Sequence, residues 1–244
     1  MPPSNAFEPL HPKVVLGVAA HPDDLEFSIS GSIATWVKEG AEAYYLILTD
    51  GGKGSDDKNA TSEQLTRVRR KEQQEAAKIL GVSKVFFCDY EDGTLEPSMD
   101  VKRDIVRIIR QTKPEVVMCM DPTFVYSMKA GMINHSDHRA AGQATLDAVY
   151  PLARDHLSFP ELYNDEHLEP HKVKHVLMTS FENHNFSVDI TASMETKIKA
   201  LAAHVSQIPD IESRSQWIRQ RAEQAGSEHG IKYAETFIRL SLPF

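Results

Sequence analysis

His21, Asp23 and Asp24 lie on one short stretch, HPDD, directly after the valine-rich run Lys13 to Ala20. An imidazole beside two adjacent carboxylates is a costly arrangement unless a cation or hydrogen-bond donors offset the repulsion. A divalent metal does so, and imidazole with carboxylate is a hard-to-borderline ligand set that suits zinc. A second cluster of the same kind, His135, Ser136, Asp137 and His138, comes much later in the chain.

A catalytic zinc takes three protein ligands and leaves a position for water. His21, one aspartate of the pair and one histidine of HSDH supply three. Such a metal lowers the pKa of its water to about 7. The second aspartate is then free as general base, and the remaining histidine can stabilise an oxyanion and protonate a leaving amine. Each part of a metal-assisted amide hydrolysis is present, with no residue used twice. Taken singly, either cluster reads as well as a helix start, because an aspartate in the first turn favours the helix dipole. Their placement decides between the two readings.

Lys13 to Ala20 is too short for a helix and reads as a buried strand. Pro22 fixes its own φ and keeps His21 out of the helical region, so the strand stops there. Strands are expected again at Ala43 to Thr49, Lys84 to Cys88 and Val116 to Met120. Helices are expected at Glu26 to Glu39, at Ser62 to Leu80 behind a Thr61/Gln64 capping box, and from a Ser98 cap to Thr112. A further helix runs from HSDH to about Tyr150. This alternation marks an α/β fold, a Rossmann-like three-layer sandwich with a mostly parallel sheet. In the common doubly wound order, strands one and four are neighbours at the switch point, and ligands bind outside their carboxyl ends. HPDD ends strand one and HSDH follows strand four. Topology alone therefore sets the two clusters across one crevice, and the metal reading prevails there.

The rest of the chain is less patterned. Residues 151–172 hold three prolines with His156, His167 and His171, and His175 just beyond; they read as a long surface segment with solvent-facing histidines. Val173 to Ser180 and Phe186 to Ile190 read as strands. Ala192 to Val205 and Trp217 to Ala225 read as helical, and Tyr233 to Leu240 as an edge strand or tail. Residues 1–12, with four prolines, read as an extended arm, and 13–244 as one domain without repeats or linker. The glycine-rich loop Asp50 to Ser55 is not a phosphate loop: Gly54 follows Lys53 where that pattern needs serine or threonine. It reads as a flexible rim.

The 244 residues carry 27 basic against 35 acidic side chains, a net charge of −8, which argues against a nucleic-acid partner. Cys88 and Cys119 sit in apolar runs and read as buried free thiols. No basic-then-apolar leader precedes Lys13, and no apolar run approaches the ~20 residues of a membrane span. A cytoplasmic location is the expectation.

AHPDD after the first strand and HSDHRAAG after the fourth resemble the two signature motifs of the zinc-dependent de-N-acetylases of the LmbE/PIG-L family. LTDGG (48–52), RRKEQQEAAKILGV (69–82), DYEDG (89–93) and AHVSQ (203–207) add to the likeness, and the C-terminal stretch is most similar to the diacetylchitobiose deacetylase branch. The resemblance implies removal of the N-acetyl group from a small amino-sugar substrate of N-acetylglucosamine type, chitobiose-like or a conjugate, with release of acetate. It implies His21, Asp24 and His138 as ligands of Zn2+, though iron, cobalt and nickel accept the same donors. It makes Asp23 the base, His135 the group that polarises the oxyanion and acts as acid, and Asp137 the residue that orients and tunes it. It places Arg69 on the sugar side, where charge patterning alone would read Arg67, Arg69, Arg70 and Lys71 as a solvated face. A homo-oligomer, trimer or hexamer, is also implied. Three positions depart from the family pattern. Leu25 and then Glu26 follow the paired aspartates where many members have glutamate at once. Ser136 replaces a proline. Ile133 stands where some members carry an aromatic, with Tyr126 the nearest substitute. The alternatives are hydrolysis of another N-acyl amide or ester at the same metal site, or a non-catalytic metal-stabilised carbohydrate-binding protein.

Overall fold

The strand that carries His21 at its end is β1 (Val14–Ala19), with five of its six residues buried. In this computed structural model, which describes residues 9–128 and 131–243, β1 is followed by α1 (Asp24–Ser28), α2 (Ser30–Lys38), β2 (Glu42–Thr49), α3 (Ser62–Leu80), β3 (Lys84–Tyr90), α4 (Met99–Thr112) and β4 (Val116–Met120). A small hairpin, β5 (Tyr126–Ser127) and β6 (Met132–Ile133), leads into α5 (Ser136–Asp147). Then come α6 (Pro160–Asn164), β7 (His175–Thr179), β8 (Phe186–Asp189), α7 (Met194–Leu201), α8 (Ile211–Ser227) and β9 (Ala234–Ser241). Of the expected N-terminal arm, residues 1–8 lie outside the described residues.

The main sheet has the order β3-β2-β1-β4-β7-β9-β8. The first five strands in that order are parallel, while β9 pairs antiparallel with both β7 and β8. The α/β sandwich expected from the sequence is present, and β1 and β4 are neighbours, Gly17 opposite Met118. One expectation is corrected. The last strand is not an edge strand or tail: β9 is inserted between β7 and β8, with Phe237 fully buried, and β8 takes the edge.

Both faces of the sheet are covered. Val15, Tyr45, Ile47 and Met118 pack with Ile33, Trp36, Leu80, Leu201 and Ile218 on one side. Leu16, Val18, Leu46 and Val117 pack with Ile105, Ile109, Ala141 and Ala144 on the other. A parallel strand buried on both faces reads as a continuous apolar run, which is why VVLGVA shows no alternation. Gly142 lets α5 lie against the end of β4, since a Cβ there would meet the Met120 carbonyl oxygen at 2.3 Å. That close approach sets HSDH beside HPDD.

The single helix expected from Glu26 to Glu39 is two. Ile29 leaves helical geometry at φ −130°, ψ −6°. The hydroxyls of Ser28 and Ser30 donate to the carbonyls of Asp24 and Glu26, a competition with the backbone that bends helices. The new N-terminus is capped from far away: Glu235 on β9 accepts from Gly31 N and Ser32 N at 2.9 and 2.7 Å. Residues 151–172 are also more than a surface loop. Buried Arg110 donates to the carbonyls of Leu152, Ala153, Asp155 and Ser158 and pins that segment to α4. Its histidines form no metal-type group among the described residues. No helix among them is long and apolar enough to cross a membrane.

Candidate active site

The turn after β1 places Asp23 at φ 94°, ψ −28°. This left-handed conformation costs a non-glycine residue about 1–2 kcal/mol, least for aspartate and asparagine. Neighbours hold it. The Asp23 N–H donates to Gln73 Oε1 at 3.0 Å, and the Asp23 carbonyl accepts from Glu26 N and Phe27 N as the first turn of α1. Gln73 in turn donates to Glu26 Oε1 at 2.9 Å, and Glu26 Oε2 lies 3.2 Å from His204 Nε2. Gln73, Glu26 and His204 are all fully buried, so the turn rests on a buried polar network.

His21, Asp24 and His138 each offer one ligand atom, and those atoms lie within 4.8 Å of one another. Asp24 Oδ2 is 3.4 Å from His21 Nδ1, and Asp24 Oδ1 is 3.1 Å from His138 Nε2. The far nitrogen of each imidazole has an acceptor. His21 Nε2 lies 3.1 Å from Asp92 Oδ1 and 3.2 Å from Asp137 Oδ2, and His138 Nδ1 lies 3.1 Å from Asn134 Oδ1. Metal-binding histidines are held this way, one nitrogen free for the ion and the other donating to an oxygen. The donor set fits a divalent ion. A second trio, His21, Asp92 and His135, meets the same distance limit through the shared His21.

The charges follow from this crowding. Burial lowers the His21 pKa, but hydrogen bonds to Asp137, Asp24 and Asp92 outweigh it and raise the value to about 12. Burial works against charge on Asp24, yet His138 and then His21 hold its carboxyl well below the usual range. Burial raises the Asp92 pKa, but the His21 hydrogen bond and charge, the Lys53 N–H and Arg69 together outweigh it and bring the value to about 2. Asp23 has no imidazole hydrogen bond: burial, and then the charge of Asp24, push it up to about 7. Two adjacent carboxylates are thereby driven apart, one a fixed anion and one poised to exchange a proton, the pattern of an acid–base site.

His135 caps the start of α5, and its Nδ1 accepts from the Asp137 N–H at 3.1 Å. Its side chain is 45% exposed, and burial together with the positive His21 lowers its pKa. The resemblance gives the Asp137 carboxylate the task of orienting His135. Here that carboxylate turns the other way. It accepts from Gly93 N at 2.7 Å and Leu95 N at 3.3 Å and meets His21, while His135 Nδ1 is 3.9 Å off. Gly93 can present its N–H because it sits at φ 82°. The orientation of His135 comes instead from the Asp137 backbone.

Arg69 is buried, with its Nη atoms on the carbonyls of Pro22 (2.8 Å), Gly51 (3.0 Å) and Lys53 (3.3 Å). Only a 3.5 Å approach to Asp23 Oδ1 and a 3.8 Å approach to Asp92 Oδ2 reach toward the site. The guanidinium ties the HPDD turn to the glycine-rich loop, which is accordingly less of a flexible rim than the sequence suggests. Ile133 and Tyr126 face each other across the β5–β6 hairpin and are both exposed. Sequence reading gave no role to Asp92, Asn134 or Gln73. Asn134 was within reach of it, standing four residues before His138 at a helix start, whereas Gln73 and Asp92 enter only through the fold.

From Asp24 and His138 a cavity of about 410 Å³ runs past His135, Ile133 and Phe27 to α8. That volume is of the size that takes a small organic ligand.

Known proteins resemble this chain over most of its length. The family model PIG-L, described as GlcNAc-PI de-N-acetylase, matches residues 16–149, a span that holds both clusters. A diacetylchitobiose deacetylase of Thermococcus kodakarensis is 32% identical over 225 residues, 91% of this chain and 81% of that protein. The solved N,N'-diacetylchitobiose deacetylase of Pyrococcus horikoshii, complexed with its inhibitor MPG, has a TM-score of 0.85 at 31% identity, covering 94% of this chain and 84% of its own. A 4-oxalmesaconate hydratase of Pseudomonas putida is 25% identical over 231 residues, 93% of this chain and 86% of that protein.

Proposed function

The chain belongs to the PIG-L family, and on that premise we propose that it is a metal-dependent N-deacetylase, with zinc as the metal, hydrolysing the N-acetyl group of an N-acetylglucosamine-type substrate. One observation carries this reading. His21, Asp24 and His138 converge with an acceptor behind each imidazole, while Asp23 beside them keeps a carboxylate free of imidazole partners.

His21, Asp24 and His138 would hold a divalent ion, which when bound would supply Lewis-acid chemistry for the water and the acetyl carbonyl. The side chains do the remainder. Asp23, raised toward neutrality, takes the proton from the attacking water. Its aim is fixed by the bond from its own N–H to Gln73. His135 Nδ1 accepts a backbone N–H, so the neutral ring carries its proton on Nε2. That N–H donates to the oxyanion as the carbonyl carbon becomes tetrahedral. The resemblance also makes His135 the acid, but a neutral ring has only this one proton. The proton collected by Asp23 therefore passes to the leaving nitrogen. The carbon–nitrogen bond breaks, and acetate and a free amine result.

The hydratase among the relatives supports a second reading, addition of water to an unsaturated acid by the same ion and base. Zinc-loaded protein is to be given N-acetylglucosamine, diacetylchitobiose and an aryl N-acetylglucosaminide. The expected result is equimolar acetate and amine, lost on chelation and restored by zinc. No acetate from any of them, with hydration of a conjugated enol acid, would transfer the chain to the second reading.

A further inference from the structure

Arg214, Trp217, Ile218, Arg221, Ala222 and Ala225 recur at three- and four-residue intervals on α8, which puts them on one helical face. That face lines the far end of the cavity that starts at Asp24 and His138. The Arg221 guanidinium lies 4.3 Å from the Phe181 ring centre and 5.6 Å from that of Trp217. The Arg214 guanidinium lies 5.9 Å from Trp217 and 5.8 Å from Phe27. Stacking uses the flat faces of a guanidinium and leaves its in-plane N–H fork to bind something else. Among the described residues neither fork meets a carboxylate or a carbonyl. Arg221 is exposed by area, yet the surrounding protein desolvates its head enough to lower its pKa, with no anion to offset this.

The other charges on the cavity wall are matched. Asp24 faces His21 and His138. Glu235 accepts from Gly31 N, Ser32 N, Ser32 Oγ and Lys197 Nζ, and Lys197 also donates to the carbonyls of Glu26 and Phe27. What remains unmatched is two cations, on a chain whose net charge is −8. They flank Trp217 and Phe181, residues that are 46% and 45% exposed. Two partly exposed aromatic side chains, already contacted by the guanidiniums and, at Phe181, by Phe124, sit beside two free forks and form a receptor for an apolar body that packs on their exposed edges and ends in an acid.

We propose that the cavity holds, beyond the amino sugar, an aglycone of this kind, aromatic and bearing a carboxylate, with the acid on Arg214 and Arg221 and the ring against Trp217 and Phe181. The assignment rests on the deacetylase reading for which end of the substrate lies at Asp24.

Two nearly isosteric probes test it, the 4-carboxyphenyl and 4-carbamoylphenyl β-glycosides of N-acetylglucosamine. Acetate release by the zinc-loaded protein is expected to favour the charged probe about tenfold in kcat/KM, and less so at high salt. In the Arg214→Gln/Arg221→Gln double variant the ratio should fall to near one; a ratio does not depend on how much of the variant is folded. A wild-type ratio near one, or a preference retained by the variant, overturns the proposal. If neither probe loses acetate, calorimetric titration of the same two probes decides, and the deacetylase reading fails only if the three substrates named above also release none. Tighter binding of the charged probe that the variant loses upholds the anion site, and equal binding overturns it. A variant that changes only its oligomeric state and keeps the preference assigns the two arginines to subunit contact instead.

Discussion

The backbone N–H of Asp23 donates to Gln73 Oε1 at 3.0 Å, tying the candidate base, held at positive φ, to the middle of α3. Gln73→Met keeps the shape of the side chain and removes the acceptor. Displacing a reacting group by a fraction of an ångström is expected to lower kcat about 10- to 100-fold. Metal content should be unchanged, because no proposed ligand touches Gln73. Steady-state kinetics with metal analysis of the same samples checks both; a loss of metal in step with activity would contradict the positioning role.

Asn134 Oδ1 is the partner of His138 Nδ1 at 3.1 Å. Asn134→Ala leaves that nitrogen without its acceptor and is expected to weaken metal binding about 10- to 100-fold. Competition against a chromogenic chelator measures it, and an unchanged affinity would place the ion elsewhere.

Lys197 and Glu235 form a buried pair at 2.7 Å that also caps α2. Removing one partner strands the other charge, so Glu235→Ala is expected to cost about 3–5 kcal/mol of folding stability by denaturant titration. Lys197→Met with Glu235→Leu should cost less than the two single changes summed, since neither charge is left alone.

His204 gives the pH dependence. Burial lowers its pKa, and Glu26, 3.2 Å away, outweighs this and raises it. A raised folded value means that the proton stabilises the fold. The contribution is complete below the unfolded value of about 6.5 and is lost as pH climbs through the folded value. The stability gap between wild type and His204→Gln should therefore narrow in thermal melts as pH rises above the unfolded value of about 6.5. A constant or widening gap would contradict the assignment.

How far the sequence reached can be seen residue by residue. The end of β1 was legible because its causes are local: a β-branched run, a proline stop, two carboxylates on one turn. The adjacency of β1 and β4 followed from alternation and handedness. The break at Ile29 was hidden, because the residue that caps α2 is Glu235, two hundred positions away in the chain. Gln73 and Asp92 fell inside stretches that only added to the family likeness, and their contacts with Asp23 and His21 come from the fold. The contacts of Asp137 with His21 and with the N–H groups of Gly93 and Leu95 were not legible, since those N–H groups arrive from the loop after β3.

The most direct test is acetate release by metal-replete Asp23→Asn. Asparagine tolerates the left-handed backbone that alanine would strain, and it keeps the N–H to Gln73 while removing the base. The variant is expected to bind metal as the wild type does and to lose about 10²- to 10⁴-fold in kcat on an N-acetylglucosaminide. Full turnover by that protein would show that some other group takes the proton, and the arrangement proposed around His21, Asp24 and His138 would no longer account for the reaction.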